Sequence, residues 1–350
     1  MIRSCGLLNC QNEPYWNIVG KGYFTMRALQ VTQLLPDHAG AALADLPIPE
    51  PGTGEVRVRV RAASVNFPDL LMTRGGYQLK PDLPFVSGLE FSGEIDALGA
   101  GVTGWRVGDA VVGGNRFGAM AEYCVVPASA LRTKPEALRW EEAAAYPVAY
   151  LTAYVALVRC ARVEPGEWAL VHGAAGGVGL ATVDLAKALG ARVIAAASSA
   201  DKRGAIARLY APDAVIDAAP GFRETVKELT GGQGADVIFD PVGGDVFDES
   251  TRCISFGGRL LVIGFASGRI PEVSVNMPLI KGFSVVGVRA GEYGRRFPER
   301  GAENVAAIDA LAAEGKIRPH VHAALDLADW RKGFAMLERR EVVGKVVLKP

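Results

Sequence analysis

The stretch Val171–Leu180, VHGAAGGVGL, sets four glycines between an apolar run, WALV (168–171), and a helix-patterned segment, GVGLATVDLAKALG (177–190). Two physical readings compete for it. A tight turn needs residues that tolerate positive φ. A backbone that must approach a bulky anion needs absent side chains, because free N–H groups and the macrodipole at a helix start attract negative charge. Ala174, Gly176 and Gly179 give the spacing AxGxxG, which keeps the two later glycines of the dinucleotide fingerprint GxGxxG. Alone that is a weak signal; its weight comes from a strand before it and a helix after it.

The flanks supply that context. WALVHG, ARVIAAAS, AVIDA, ADVIFDPVG and GRLLVIGF read as buried strands, separated by the helical patterns GVGLATVDLAKALG, SADKRGAIARLY, GFRETVKELT and DVFDESTRCIS. GFSVVGV (282–288) reads as a last strand. Strands that are almost continuously Val, Ile and Leu, alternating with helices, predict an α/β fold with a doubly wound parallel sheet. Upstream the texture is β-rich. EVRVRVRAASV (55–65) alternates apolar and charged residues, the period of a half-buried strand, and PEPGTG, RGGY and KPDLP are turn punctuation. RWEEAAAYPVAYLTAYVALVRCARV (139–163) is helical with a break at Pro147. ALDLADWRKGFAMLERREVVGKVVLKP (324–350) gives a helix and a terminal strand that returns to the first part. The expected organisation is a poorly ordered extension over 1–25, a β-rich catalytic domain over 26–149 and 290–350, and a nucleotide-binding domain over 150–289.

Composition narrows the function. The chain has 350 residues, 49% hydrophobic and 22% charged, with Lys plus Arg equal to Asp plus Glu at 38 each. That balance gives no electrostatic case for nucleic acid. No apolar run reaches the roughly 18 residues that span a bilayer. Five scattered cysteines without a CxxC pair point to free thiols in a reducing, cytoplasmic compartment.

The end of the second strand speaks to the cofactor. An NAD-specific site usually carries Asp or Glu about 20 residues after the glycine loop. Here that position, near Ala197, has no acid; Ser198, Ser199 and Lys202 follow and suit a 2′-phosphate, with Asp201 arguing the other way. The expected cofactor is NADPH.

Taken in order, SVNFPDLLMTRGGY, PFVSGLEFSGEI, GWRVGDAVVG, GAMAEYCVVP, YPVAYLTAY, HGAAGGVG, FDPVGG, GGRLLVIGFASG and GKVVL resemble the medium-chain dehydrogenase/reductase superfamily. More narrowly, they are similar to its zinc-free NADPH:quinone oxidoreductase, ζ-crystallin-like branch, from about Met26 to Pro350. The resemblance implies a GroES-like catalytic domain joined to a Rossmann domain. Where zinc-dependent relatives carry a Cys ligand this chain has Asn66, and their GHE motif reads Gly88-Leu89-Glu90. The four-Cys loop of structural zinc is missing, and His38, His172, His320 and His322 fit no zinc arrangement, so no metal is expected. Without a Lewis acid, a quinone or α,β-unsaturated carbonyl is the fitting acceptor, because conjugation delocalises the charge left by hydride addition.

By the same resemblance, Asn66 and Pro68 line the nicotinamide cleft, Tyr77 stands at the substrate mouth and Thr152 meets the nicotinamide end. Gly176, Gly177, Val178 and Gly179 hold the pyrophosphate. Ser198, Ser199 and Lys202 hold the adenosine phosphate, and Gly264, Phe265 and Ser267 close over the nicotinamide ribose. Asp69 and Glu90 read as structural hydrogen-bonding groups rather than an acid–base pair, and Asp240 as an adenosine contact or a cap. Relatives pair through the sheet edge, which makes Gly282–Val288 the expected homodimer edge. Two alternatives stay open: an enoyl or acryloyl thioester reductase with a basic patch from Arg74, Lys80, Arg116, Arg289, Arg295 and Arg296, and a non-catalytic NADPH-binding protein.

Overall fold

The alternation in Glu55–Val65 turns Val56, Val58 and Val60 inward, and Ala62–Val65 is buried throughout. This strand is the spine of the first half of the molecule. The computed structural model describes residues 24–350, so the expected extension over 1–25 lies outside the described residues except for Phe24 and Thr25, and Thr25 already opens β1. The first half contains β1 (Thr25–Val31), β2 (Ala41–Pro47), β3 (Glu55–Val65), β4 (Phe85–Val86), β5 (Glu90–Leu98), β6 (Ala110–Gly114), β7 (Tyr123–Pro127) and β8 (Leu131–Thr133). Helix α1 (Phe67–Thr73) follows β3 directly. Helices α2 (Trp140–Ala145) and α3 (Pro147–Tyr154) lead out of the domain. Pro147 stands at the start of α3, where its missing N–H is no loss.

The second half carries β9 (Trp168–Val171), β10 (Arg192–Ala197), β11 (Ala214–Asp217), β12 (Ala235–Asp240), β13 (Ile254–Val262) and β14 (Ser284–Gly287). All their pairings are parallel, in the order β11-β10-β9-β12-β13-β14, with α4 (Gly177–Ala188) after β9 and α5 (Ala200–Tyr210) after β10. This is the doubly wound order, with its switch point between β9 and β12. The chain then returns. β15 (Val321–Asp326) and β16 (Lys345–Lys349) complete a seven-stranded sheet, β15-β16-β3-β5-β6-β8 with β7 also on β3. The α/β class, with a GroES-like part and a Rossmann sheet, is as the sequence leads one to expect.

Helices Ala290–Arg296 and Pro298–Ala313 fall within the span 290–350 expected to go with the catalytic domain. Ile308, Ala312 and Ile317 instead join the apolar cluster of Leu157, Val171 and Leu185, so this segment packs with the nucleotide-binding core. In PERGAENVAAIDALAA, charges and alanines dilute the apolar stripe.

Register sets the site. β16 runs antiparallel to β3 with Val346 opposite Val65, and β5 pairs with β3 at Glu90 opposite Ser64. The end of β3 and the starts of β5 and β16 therefore meet, bringing Asn66, Glu90 and Lys345 together.

Candidate functional site

The glycine loop divides its labour. Gly173 adopts φ +57° and makes the turn. Gly176 is the N-cap of α4 in an extended conformation. A Cβ on Gly179 would lie 2.2 Å from the Gly173 carbonyl oxygen, so only glycine lets α4 close onto the turn. A Cβ on Gly177 would lie 2.7 Å from Lys345 Cδ, so the lysine stem runs against the loop. Val178 packs half-buried on the core cluster. The turn is made at Gly173 and the close backbone approaches at Gly177 and Gly179, which leaves the start of α4 lined with small residues. The cradle fits a pyrophosphate.

Just past β10, Ser198 and Ser199, the residues expected to meet the adenosine phosphate, lie at the surface. Ser199 caps α5, its oxygen accepting the Lys202 N–H at 3.3 Å. The Lys202 ammonium donates to the Arg340 carbonyl, and the Arg340 guanidinium donates to the Ala266 carbonyl at 2.7 Å. Arg340 thus links Lys202 to the loop after β13, a connection no reading of the second strand alone could reveal. Arg203 is occupied structurally, donating to the Ala197 carbonyl at 3.1 Å and pairing with Asp217 at 2.8 Å.

That loop holds Gly264, Phe265 and Ser267. The N–H groups of Ala266 and Ser267 donate to Pro241 at 3.0 Å and Val242 at 2.9 Å. Asp240 is buried and accepts from the Val242 N–H at 2.8 Å and the Gly243 N–H at 2.9 Å; it caps this turn, and burial raises its pKa. Thr152 is half-buried on α3, its hydroxyl donating to the Val148 carbonyl at 2.8 Å.

The densest chemistry lies where the three strand ends meet. Lys345 is buried and its Nζ donates to Asn66 Oδ1 at 2.6 Å and Glu90 Oε1 at 3.0 Å. Asn66 Nδ2 donates to the same Glu90 oxygen at 2.9 Å, and the Val148 N–H donates to Glu90 Oε2 at 2.8 Å. Asp69 completes the group by accepting the Asn66 backbone N–H at 2.8 Å, a capping box at the start of α1. Pro68 stands half-buried in the same first turn, and Tyr77 is half-buried against the catalytic-domain core. Asp69 and Glu90 are hydrogen-bonded structural groups. Asn66 directs both ends of its amide into the cluster.

This donor set does not fit zinc. An amide and a leucine, Asn66 and Leu89, stand where two ligands are needed, and a buried ammonium repels a divalent cation. Among the described residues no three His, Cys, Asp or Glu side chains gather as a metal site. His38 is buried against Thr73, Nδ1 to Oγ1 at 2.6 Å, and His172 against Ser250, Nε2 to Oγ at 2.9 Å. No helix among the described residues is long and apolar enough to cross a membrane. Lys345 and Arg340 are the site residues that sequence reasoning missed. The signal for Lys345 was a lysine opening KVVLK, an otherwise buried strand, directly after a glycine.

Comparison with known proteins agrees with this geometry. The model of the alcohol dehydrogenase GroES-like domain matches residues 52–136, and that of the zinc-binding dehydrogenase family matches 177–307. A quinone oxidoreductase-like protein 2 homolog of Nematostella vectensis is 40% identical over 300 residues, covering 85% of this chain and 82% of its own. Quinone oxidoreductase-like protein 2 of Mus musculus is 38% identical, covering 95% and 94%. A mycobacterial protein solved in complex with NADPH superposes with a TM-score of 0.84 at 34% identity, covering 93% of this chain and 100% of that one.

The cluster has a pH signature. Burial pushes the Asp69 carboxyl up to about 7 from 3.8, with Glu90 adding to the rise and the Asn66 N–H and Lys345 opposing it. Between those values the folded state holds a proton that the unfolded chain releases. Asp69 therefore favours folding at low pH, and that contribution is lost as pH rises from about 4 to about 7, by at most about 1.4 kcal/mol per pH unit. Asp69→Asn is expected to flatten the decline across this window, read from urea midpoints; an unchanged slope would assign the dependence elsewhere.

Proposed function

The chain belongs to the zinc-free quinone oxidoreductase branch of the medium-chain dehydrogenase/reductase superfamily, and on that premise we propose that it transfers a hydride from NADPH to a quinone or α,β-unsaturated carbonyl. The observation that carries the proposal is the Lys345 ammonium buried between Asn66 and Glu90. It fills with hydrogen bonds the place where a metal-assisted relative needs ligands. An acceptor whose developing charge spreads over a conjugated system requires only modest donors.

Bound NADPH supplies the hydride. The chain positions it. Backbone N–H groups over Gly176, Gly177, Val178 and Gly179 hold the pyrophosphate. Ser198, Ser199 and Lys202 hold the adenosine phosphate, with Lys202 exchanging the Arg340 carbonyl for it. Gly264, Phe265 and Ser267 cover the nicotinamide ribose, and Pro68 and Thr152 wall the cleft. Asn66, with its amide saturated, acts as a positioning residue, while Tyr77 at the mouth, or solvent, returns the proton. The free thiols of Cys124, Cys160 and Cys253 suit a reducing, cytoplasmic compartment.

The thioester alternative lacks comparable support. Of its candidate cations, Arg74 pairs with Glu338, and Arg295 and Arg296 both pair with Glu292. The discriminating experiment is NADPH oxidation against quinones, small enones and crotonyl-CoA. Turnover of quinones or enones is expected; activity confined to the thioester would replace the proposal, and tight NADPH binding with no turnover would favour a binding protein.

Loss of a charge-assisted phosphate contact costs about 1.5–3 kcal/mol. Lys202→Glu is accordingly expected to lower the preference for NADPH over NADH by about tenfold or more. An unaltered ratio of kcat/KM values would remove Lys202 from the phosphate site.

The same reading makes the protein a homodimer through β14. Val285 on that edge strand is 38% exposed, and Phe256, Leu279 and Ile280 add exposed apolar surface nearby in the fold, with the Phe256 ring over Gly282. An open edge flanked by apolar side chains invites pairing. Val285→Lys with Phe256→Glu is expected to give monomers in sedimentation; an unchanged dimer would place the interface on another surface.

A further inference from the structure

Arginines that hold this fold together meet carboxylates. Arg259 grips Glu167 with two bonds of 2.8 and 2.6 Å, Arg74 pairs with Glu338, and Arg295 and Arg296 share Glu292. Arg289 is different. It is exposed and forms no salt bridge among the described residues. Its guanidinium donates instead to a neutral amide, Gln78 Oε1, at 2.9 Å.

That bond joins two parts of the candidate site. The Val288 N–H donates to the Val262 carbonyl at 3.0 Å, at the C-terminal edge of the parallel sheet. Arg289 comes next on one strand, and Ile263 and Gly264 come next on the other. The loop of Gly264, Phe265 and Ser267 therefore leaves the sheet beside Arg289. Ligands of open α/β sheets bind outside this edge. On the catalytic-domain side, Gln78 directly follows Tyr77. The turn before it is fixed by Gly75 at φ +73° and by the Gly76 N–H, which donates to the Leu71 carbonyl at 2.9 Å. Lys80 and Asp82 on the same loop sum to zero and Arg74 is paired, so Arg289 supplies the net positive charge at this point.

A guanidinium carries five N–H donors, and one amide oxygen leaves most of them to water. A carboxylate accepts two parallel N–H bonds, matches the charge and binds more strongly than an amide oxygen. We infer that Arg289 is a specificity-determining residue that exchanges Gln78 for a carboxylate borne by the acceptor, so that anionic acceptors gain rate over neutral ones of the same framework. The inference rests on the hydride-transfer reading above.

The test uses two matched pairs: benzylideneacetone with a para-methyl or a para-carboxylate group, and menadione with a propyl or a carboxyethyl chain at the free ring position. The readout is the ratio of kcat/KM values, anionic over neutral, within whichever pair is reduced. Comparing that ratio between proteins cancels the intrinsic reactivity of the compounds. Arg289→Gln is expected to lower it about tenfold, the difference between a charge-assisted and a neutral hydrogen bond. Gln78→Glu keeps the arginine but gives it a permanent carboxylate, and is expected to lower the ratio to a similar extent. Added salt screens exposed charges, so it is expected to lower the ratio in the wild type and not in Arg289→Gln. A ratio that either variant leaves unaltered overturns the inference. So do losses shared equally by neutral and anionic acceptors with a raised KM for NADPH, which would make Arg289 a cofactor contact. Should the wild type reduce neither pair, the hydride-transfer reading fails, and Arg289 is judged by calorimetric titration of the two carboxylates into protein loaded with NADP+. Weaker binding to Arg289→Gln supports the inference; equal binding, or none to the wild type, overturns it.

Discussion

A positive charge out of water governs the architecture around the cleft. Removing an ammonium and a carboxylate from solvent costs several kcal/mol each unless both are closely paired and their remaining hydrogen-bonding groups are used. Lys345 and Glu90 meet that condition with Asn66 and the Val148 N–H. The requirement propagates outward. β16 must pair with β3 so that Val346 faces Val65, β5 must place Glu90 opposite Ser64, and α3 must start where its first turn can donate to Glu90. Slipping any strand by one residue would turn these side chains to the wrong face. The last strand of the chain is thereby committed to pair with β3, from the opposite end of the described sequence.

The same lysine ties the two halves together. Its aliphatic stem presses on Gly177 in the glycine loop, while its ammonium belongs to the catalytic-domain cluster. Arg340 makes a second tie, from the returning segment to Lys202 and to Ala266. The C-terminal segment therefore completes the sheet of the first half and packs against the glycine loop in one stroke. Small residues at Gly177 and Gly179 are the counterpart of this closeness: one admits the lysine, the other admits the helix.

Local patterns were legible where one physical cause dominated. The period-2 alternation over Glu55–Arg61 marks β3, Pro147 divides α2 from α3, and Gly176 and Gly179 mark the start of α4 after β9. That Asn66 and Leu89 stand at the ligand positions of zinc-dependent relatives came from the family resemblance, not from residue type. Helix Pro298–Ala313 was not legible, because its burial is set by α3 and its neighbour rather than by a strong apolar stripe. Phe265 and Ser267 were located by motif, but their loop is held by the Asp240-capped turn at Pro241 and Val242, a contact between distant segments.

By itself the sequence determined the α/β fold class and the glycine-rich opening of α4, since the alternation of buried strands with helices and the AxGxxG spacing are written in residue type and order. Only the tertiary structure decided that Lys345 neutralises Glu90 and that Arg340 reaches over to Lys202. Those facts depend on which strand ends and helix faces meet in space. Register and packing fix such meetings, and a linear pattern does not record them.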